Sequence, residues 1–242
     1  LLLIPTVYAQ NEIMPLNQFL IPVYTLSSLI RMLIAFLISL AFAIPYGIIA
    51  TRNSRAEKIL IPILDVLQSV PILGFFPAAV FFFITLFGGS WLGIEFAAIF
   101  LIFTSMVWNL TFAVYEQMSS IPKDIEEALE SFGVKGWTKI RRLYLPAIVP
   151  KLVYNGIMSW AGGWYFLVAA EIISLGSKTY TLAGIGSFLA SSAYRGDYGD
   201  AFLGLGALAT TILLIDIFVW RPLEAYANHF KYDYVSAIEP SK

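Results

Sequence analysis

Long apolar runs constrain this chain more than any single motif in it. A helix needs about 20 apolar residues to cross a bilayer. Five stretches come close to that length or exceed it: about Leu26 to Ala50, Ile59 to Phe87, Phe96 to Val114, Ala147 to Ile173 and Ala201 to Val219. Backbone polar groups in hydrocarbon must be satisfied within the protein, so such runs are expected to be helices. Short polar loops such as Thr51-Arg52-Asn53-Ser54-Arg55 and Gly88-Gly89-Ser90 join them. Charged residues make up 13% of the chain, against roughly 25% in an average soluble domain, and no segment is left for a soluble domain. The expectation is an all-α polytopic membrane protein forming a single domain over residues 1–242. The apolar start at Leu1 lacks an initiator methionine, and residues 1–9 read as the end of a truncated first helix.

Loops on the cytoplasmic side retain an excess of lysine and arginine. Arg52, Arg55 and Lys58 lie in the first loop; Lys123, Lys135, Lys139, Arg141, Arg142 and Lys151 surround the third; and Arg221, Lys231 and Lys242 follow the last span. If the spans alternate, all of these fall on one side, leaving Arg31, Lys178 and Arg195 for the other side or the membrane. Residues 119–146 and a tail over 222–242 are thus expected in the cytoplasm.

Composition also excludes chemistry. The absence of cysteine rules out disulfides and thiolate metal sites, and the single His229 rules out a multi-histidine site. The net charge of -1 offers no basic surface for nucleic acid. Gly176-Ser177-Lys178-Thr179 lacks the order of a phosphate-binding loop, and no H-E-x-x-H or G-x-S-x-G pattern occurs. No cofactor is therefore expected in the chain itself.

The loop after the third span carries the densest charge. Pro122 suits a first helical turn, and Asp124, Glu126 and Glu127 complement the positive end of the helix dipole. Ile125, Ala128, Leu129 and Phe132 recur on one face, with Glu126, Glu127 and Glu130 largely off it. Gly133 stands where a left-handed cap is wanted. A second segment from Trp137 to Tyr144 is expected to end before Pro146. Helix, glycine elbow and helix would make a compact module able to enter a groove on a soluble partner, or else lie against anionic lipid headgroups.

The spacing Glu127-Ala128-Leu129, three residues, Gly133, nine residues, Leu143, one residue, Leu145-Pro146 resembles the EAA loop of the permease subunits of ABC importers. Leu129 stands where that family has a second alanine. Ser28-Leu29-Ile30-Arg31, Ile44-Pro45-Tyr46-Gly47, Val70-Pro71-Ile72-Leu73-Gly74-Phe75-Phe76-Pro77, Val168-Ala169-Ala170-Glu171, Ala183-Gly184-Ile185-Gly186 and Leu214-Ile215-Asp216 are similar to its nitrate, sulfonate, taurine and bicarbonate branch. The resemblance implies a type I ABC-importer permease fold, crossing the inner membrane of a prokaryotic cell several times. It also implies ATPase subunits that bind ATP and Mg²⁺, a second permease subunit forming a homodimer, an extracytoplasmic binding protein, and a small anion as cargo. Glu127, Ala128, Gly133, Leu143, Leu145 and Pro146 would couple the ATPase to the membrane helices. The family's six spans would be restored by a helix before Leu1, unless the chain is half of a duplicated permease. A standalone channel or secondary transporter, and a purely structural membrane anchor, are the rival classes.

Charges inside spans are costly, about 2.5 to 3.5 kcal/mol at the bilayer centre. Asp65, Glu171 and Asp216 are such charges, with Arg31 nearer the outer edge. Arg31 and Glu171 are expected at one membrane face, where they would pair, either at a gate or as a structural clamp. Pro62, Pro71 and Pro77 are expected to kink the second span, with Pro71 and Pro77 as path candidates. Gly156, Ser159 and Gly163 share a face suited to close helix packing.

Overall fold

The computed structural model describes residues 7–9, 17–175 and 178–231. Helices dominate. After the short strand β1 (Val7–Ala9) and one 3-10 turn come α1 (Ile21–Arg52), α2 (Ser54–Ser69), α3 (Ile72–Leu86) and α4 (Trp91–Ser119). Two short helices, α5 (Lys123–Ser131) and α6 (Gly136–Lys139), lead through a π turn at Ile140–Tyr144 into α7 (Leu145–Glu171). The hairpin β2 (Ile172–Leu175) and β3 (Lys178–Leu182) precedes α8 (Ile185–Arg195) and α9 (Tyr198–Ile215). A second π turn at Asp216–Trp220 continues into α10 (Arg221–Asn228).

Three helical stretches, 18–52, 91–119 and 198–228, are long and apolar enough to cross a membrane, and the bent pair α2 and α3 counts as a fourth. The fifth expected span is α7. Its 27 residues reach about 40 Å at 1.5 Å per residue, while Lys151, Asn155 and its glycines dilute its apolar character.

The centre of the bundle is α4, whose Leu101, Ile102, Met106, Val107 and Leu110 are fully buried. Against it α1 presents Ser28, Met32, Ala35, Ser39 and Ala43, spaced three or four residues apart so that mostly small side chains form one stripe. Small stripes let helices approach closely, which matters where lipid supplies no hydrophobic drive for helices to associate. The expected packing face on α7 does the same. A Cβ at Gly163 would collide with the ends of Met106 and Met32, and one at Gly156 would sit 3.4 Å from Phe36 and Trp220. Asn109 lies inside α4 and donates to the Asn155 carbonyl and to Ser159, each at 3.0 Å.

Two expectations need correction. Residues 7–9 are not helical: β1 pairs antiparallel with β3, Val7 opposite Leu182, giving the sheet order β1-β3-β2, while residues 1–6 lie outside the described residues. The second span is broken by 96° between α2 and α3. Of its prolines Pro71 breaks it, because Val70 before it takes an extended backbone as pre-proline residues prefer, whereas Pro62 and Pro77 lie inside α2 and α3. Of the tail expected over 222–242, residues 222–228 lie in α10, and residues 232–242 lie outside the described residues.

Relative sidedness agrees with the alternation of spans. Arg52 at the end of α1 donates to the Tyr144 hydroxyl at 3.1 Å, and Tyr115 donates to Glu57 at 2.6 Å, so the basic loops share one end. At the opposite end Gln18 donates to Asp200 at 2.6 Å.

Candidate functional site

Two constellations hold the residues singled out in the sequence. The first is the module at the basic end. Helix α5 starts after Pro122 with Asp124 and Glu126 in its first turn and closes on Gly133, whose φ is +77°. The amide of Gly133 donates to the Glu130 carbonyl and that of Val134 to the Leu129 carbonyl, both at 3.0 Å. This is the bonding of a Schellman cap, with glycine at the left-handed position.

Helix α5 leaves much of its apolar stripe exposed, with Leu129 alone half-buried. Ile125 is 40% and Phe132 84% exposed, Ala128 is exposed as well, and Trp137 beyond the elbow is 71% exposed. Two of its acids, partly exposed themselves, pair with Lys139. Lys139 is buried and donates to Glu126 at 2.5 Å and Glu130 at 2.8 Å, and Tyr144 donates to Glu126 at 3.1 Å. Arg52 and Lys139 both lie over the Tyr144 ring. Burial pulls the lysine's pKa down, but the hydrogen bonds to Glu126 and Glu130 outweigh it and leave the ammonium more basic than usual. The hydrogen bond and charge of Lys139 hold Glu130 below the ordinary carboxylate range. The module is thereby tied to the end of α1 with its apolar residues turned outward.

Glu127, Ala128 and Gly133 are exposed, while Leu143, Leu145 and Pro146 are half-buried. Leu143 and Leu145 pack on a small core of Ile48, Val114, Met118, Tyr144 and Ile148, which joins α1, α4 and α7. Pro146 does not terminate the second segment as expected. The Leu145 amide donates to the Ile140 carbonyl five residues back, and Pro146 occupies the first turn of α7. The widened π turn accommodates a ring that an unbroken α-helix would reject, so the module runs directly into a membrane helix.

The second constellation lies toward the other end. Arg31 donates from Nη1 to Glu171 at 2.9 Å and to the Ala183 carbonyl at 2.9 Å. Its Nε and Nη2 grip both oxygens of Glu95 at 2.7 and 2.8 Å. Glu171 is fully buried. It also accepts from Ser28 Oγ at 2.5 Å and from the amides of Gly186 and Ser187 at 2.8 and 3.2 Å, which are the first free donors of α8. Two acids face one arginine, and the positive end of the α8 dipole complements the remaining charge. A Cβ at Gly184 would overlap the Glu171 carboxylate, and one at Gly186 would lie 2.8 Å from it. Glycine is needed there for close approach.

The structure brings Arg31 and Glu171 together as expected and arranges them as a fully bonded clamp between α1, α4, α7 and α8. Pro71 and Pro77 are exposed on α3 and take no part in it. Sequence reasoning missed Glu95, which lies just before the third span expected from Phe96, and Ser28 as a partner; the available signal was an acid at the start of an apolar run. Among the described residues no group of three or more metal-ligating side chains occurs.

A model of the family described as binding-protein-dependent transport system inner membrane component matches residues 43–220. The chain belongs to that family. Among relatives of this inner-membrane component, the bicarbonate transport system permease protein CmpB of Synechococcus elongatus is 28% identical over 197 residues, 81% of this chain and 66% of the relative. The nitrate import permease protein NrtB of Leptolyngbya laminosa is 26% identical over 80% of this chain and 64% of its own length. The taurine transport system permease protein TauC of Escherichia coli is 25% identical over 79% and 64%. The chain thus spans somewhat less than two thirds of these permeases. A solved structure of the MetNI methionine ABC transporter in inward-facing conformations aligns with a TM-score of 0.69 at 16% identity, covering 88% of this chain and 97% of that one. This likeness establishes a type I ABC-importer permease fold for a multi-pass membrane component.

Proposed function

We propose that this chain is the membrane-spanning subunit of an ATP-driven importer working by alternating access. Its module over residues 119–146 docks a cytoplasmic ATPase. Glu127, Ala128, Ile125 and Phe132 face that partner, Gly133 sets the elbow, and Leu143, Leu145 and Pro146 pass the partner's motion into α7. ATP and Mg²⁺ bind in the ATPase. A second copy of the chain completes the passage, an extracytoplasmic binding protein delivers a small solute of the oxyanion or sulfonate class, and α10 faces the cytoplasm. Arg31 and Glu171 hold the outer hairpin and α8 against α1, so that these elements move together.

The observation carrying this reading is the exposed apolar surface of the module, Phe132 at 84% and Trp137 at 71%, beside Glu126 and Glu130 paired with Lys139. Exposed apolar surface rimmed by charge marks a partner site. The test is recovery from mild detergent. The intact chain is expected to bring down an ATPase, and Phe132→Asp to insert normally but lose it. Solute flux in liposomes containing the chain alone would instead support a channel or secondary transporter.

A further inference from the structure

We propose that the polar stripe of α2 lines a water-filled passage, and that the solute moving past it presents a positively charged group to Asp65. The cargo is then a zwitterion, an acidic group joined to an ammonium or similar cation, rather than a bare inorganic anion. This rests on the transport reading above and narrows its cargo.

Helix α2 buries a single side chain, Leu64. Lys58, Pro62, Asp65, Gln68 and Ser69 are all exposed, and their spacing places them along one helical face. Asp65 lies six residues into the span that starts at Ile59, about 9 Å along the helix, roughly a third of the way through a hydrocarbon core of about 30 Å. Its carboxylate receives one long hydrogen bond, from Gln68 at 3.4 Å, while Ser69 Oγ donates to its main-chain carbonyl at 2.7 Å. A carboxylate so placed is costly to expose to lipid. The stripe also ends where the span breaks by 96° at Val70 and Pro71, and non-helical backbone at membrane depth is tolerated where protein or water satisfies it.

The charge of the passage follows from how the charges in and beside the spans are used. Arg31 is held by Glu95 and Glu171, Lys151 by Glu116, and Arg221 by Asp216. Beyond Lys58 at the basic mouth, α2 and α3 contain no cation. A bare anion would meet repulsion at Asp65, whereas a solute with a cationic group would be attracted. A second copy of the chain packed squarely on this stripe would set Asp65 against its own equivalent, which disfavours a closed protein contact here.

The chain has no cysteine, so single cysteines report cleanly. Ser69→Cys on the stripe and Ile63→Cys on the opposite face of α2 are introduced into the assembled complex in membranes. They are labelled with a cationic trimethylammonium methanethiosulfonate and with the anionic sulfonate reagent. Ser69→Cys is expected to react with both, favouring the cation by about tenfold relative to a free thiol. That preference should vanish when Asp65→Asn is added, and Ile63→Cys should stay unlabelled. No labelling at Ser69→Cys would show the stripe covered by lipid or a second copy. An anionic preference, equal rates, or a cationic preference surviving Asp65→Asn would remove Asp65 as the source of the field; each result overturns the proposal. Labelling needs neither cargo nor turnover, so it can fail while the ATPase still copurifies, which separates this inference from the transport reading.

Discussion

Glu171 shows how much a single buried acid can organise. It binds Arg31 and Ser28 of α1 and the first amides of α8, while Arg31 spends its remaining donors on Glu95 of α4. Removing the arginine strands two carboxylates; removing the Glu171 charge leaves Arg31 paired with Glu95. Arg31→Met should therefore destabilise the protein by about 3 to 5 kcal/mol, the range for breaking a buried pair, and Glu171→Gln by less. The double variant should cost less than the sum of the two, measured by thermal unfolding in detergent. Strict additivity would show that the pair does not act as a unit. Gly133 is constrained differently: a Cβ there would meet nothing within 4 Å, so the penalty is one of backbone conformation, severe for a β-branched residue at positive φ. Gly133→Val should leave membrane insertion intact and uncouple ATP hydrolysis from transport, and normal solute-stimulated hydrolysis in that variant would contradict the elbow's role.

At the scale of elements, periodicity gave α5 its start, its apolar stripe and its Gly133 cap, but not the direction the stripe faces. A 3.6-residue repeat identifies two faces without saying what covers either; here Lys139 pairs with Glu126 and Glu130 while Phe132 stays exposed, and that pairing spans an elbow no local pattern describes. Pro146 was misread for a similar reason, since the π turn that accommodates it arises from the register of α6 against α7. The ion cluster carries a pH dependence. Glu130, with its lowered pKa, stabilises the module above the usual carboxylate range, and that contribution is lost as pH falls through its folded-state value. Lys139, with its raised pKa, loses its contribution only as pH rises above the usual lysine range. Hydrogen exchange of residues 123–139 should thus be flat around neutrality and speed up in acid. Lys139→Met should abolish the acid-induced increase by loosening the module at all pH values.

For the whole molecule, the five spans, the shared end of the basic loops and the pairing of Arg31 with Glu171 were legible because apolar length, alternation and charge placement act over short windows. The strand β1 and the membership of Glu95 in the clamp were not, because each depends on a partner distant in sequence, Leu182 for Val7 and Arg31 for Glu95. The module and the clamp sit at opposite ends of one bundle joined by α1 and α7, the geometry an importer needs if a push at one end is to move elements at the other. The most direct test of that account is a photo-crosslinker placed at Phe132 in the intact complex in native membranes. The account predicts a crosslink to a nucleotide-binding ATPase whose yield changes when ATP is supplied. Crosslinking to lipid alone, with no protein adduct in either state, would contradict it.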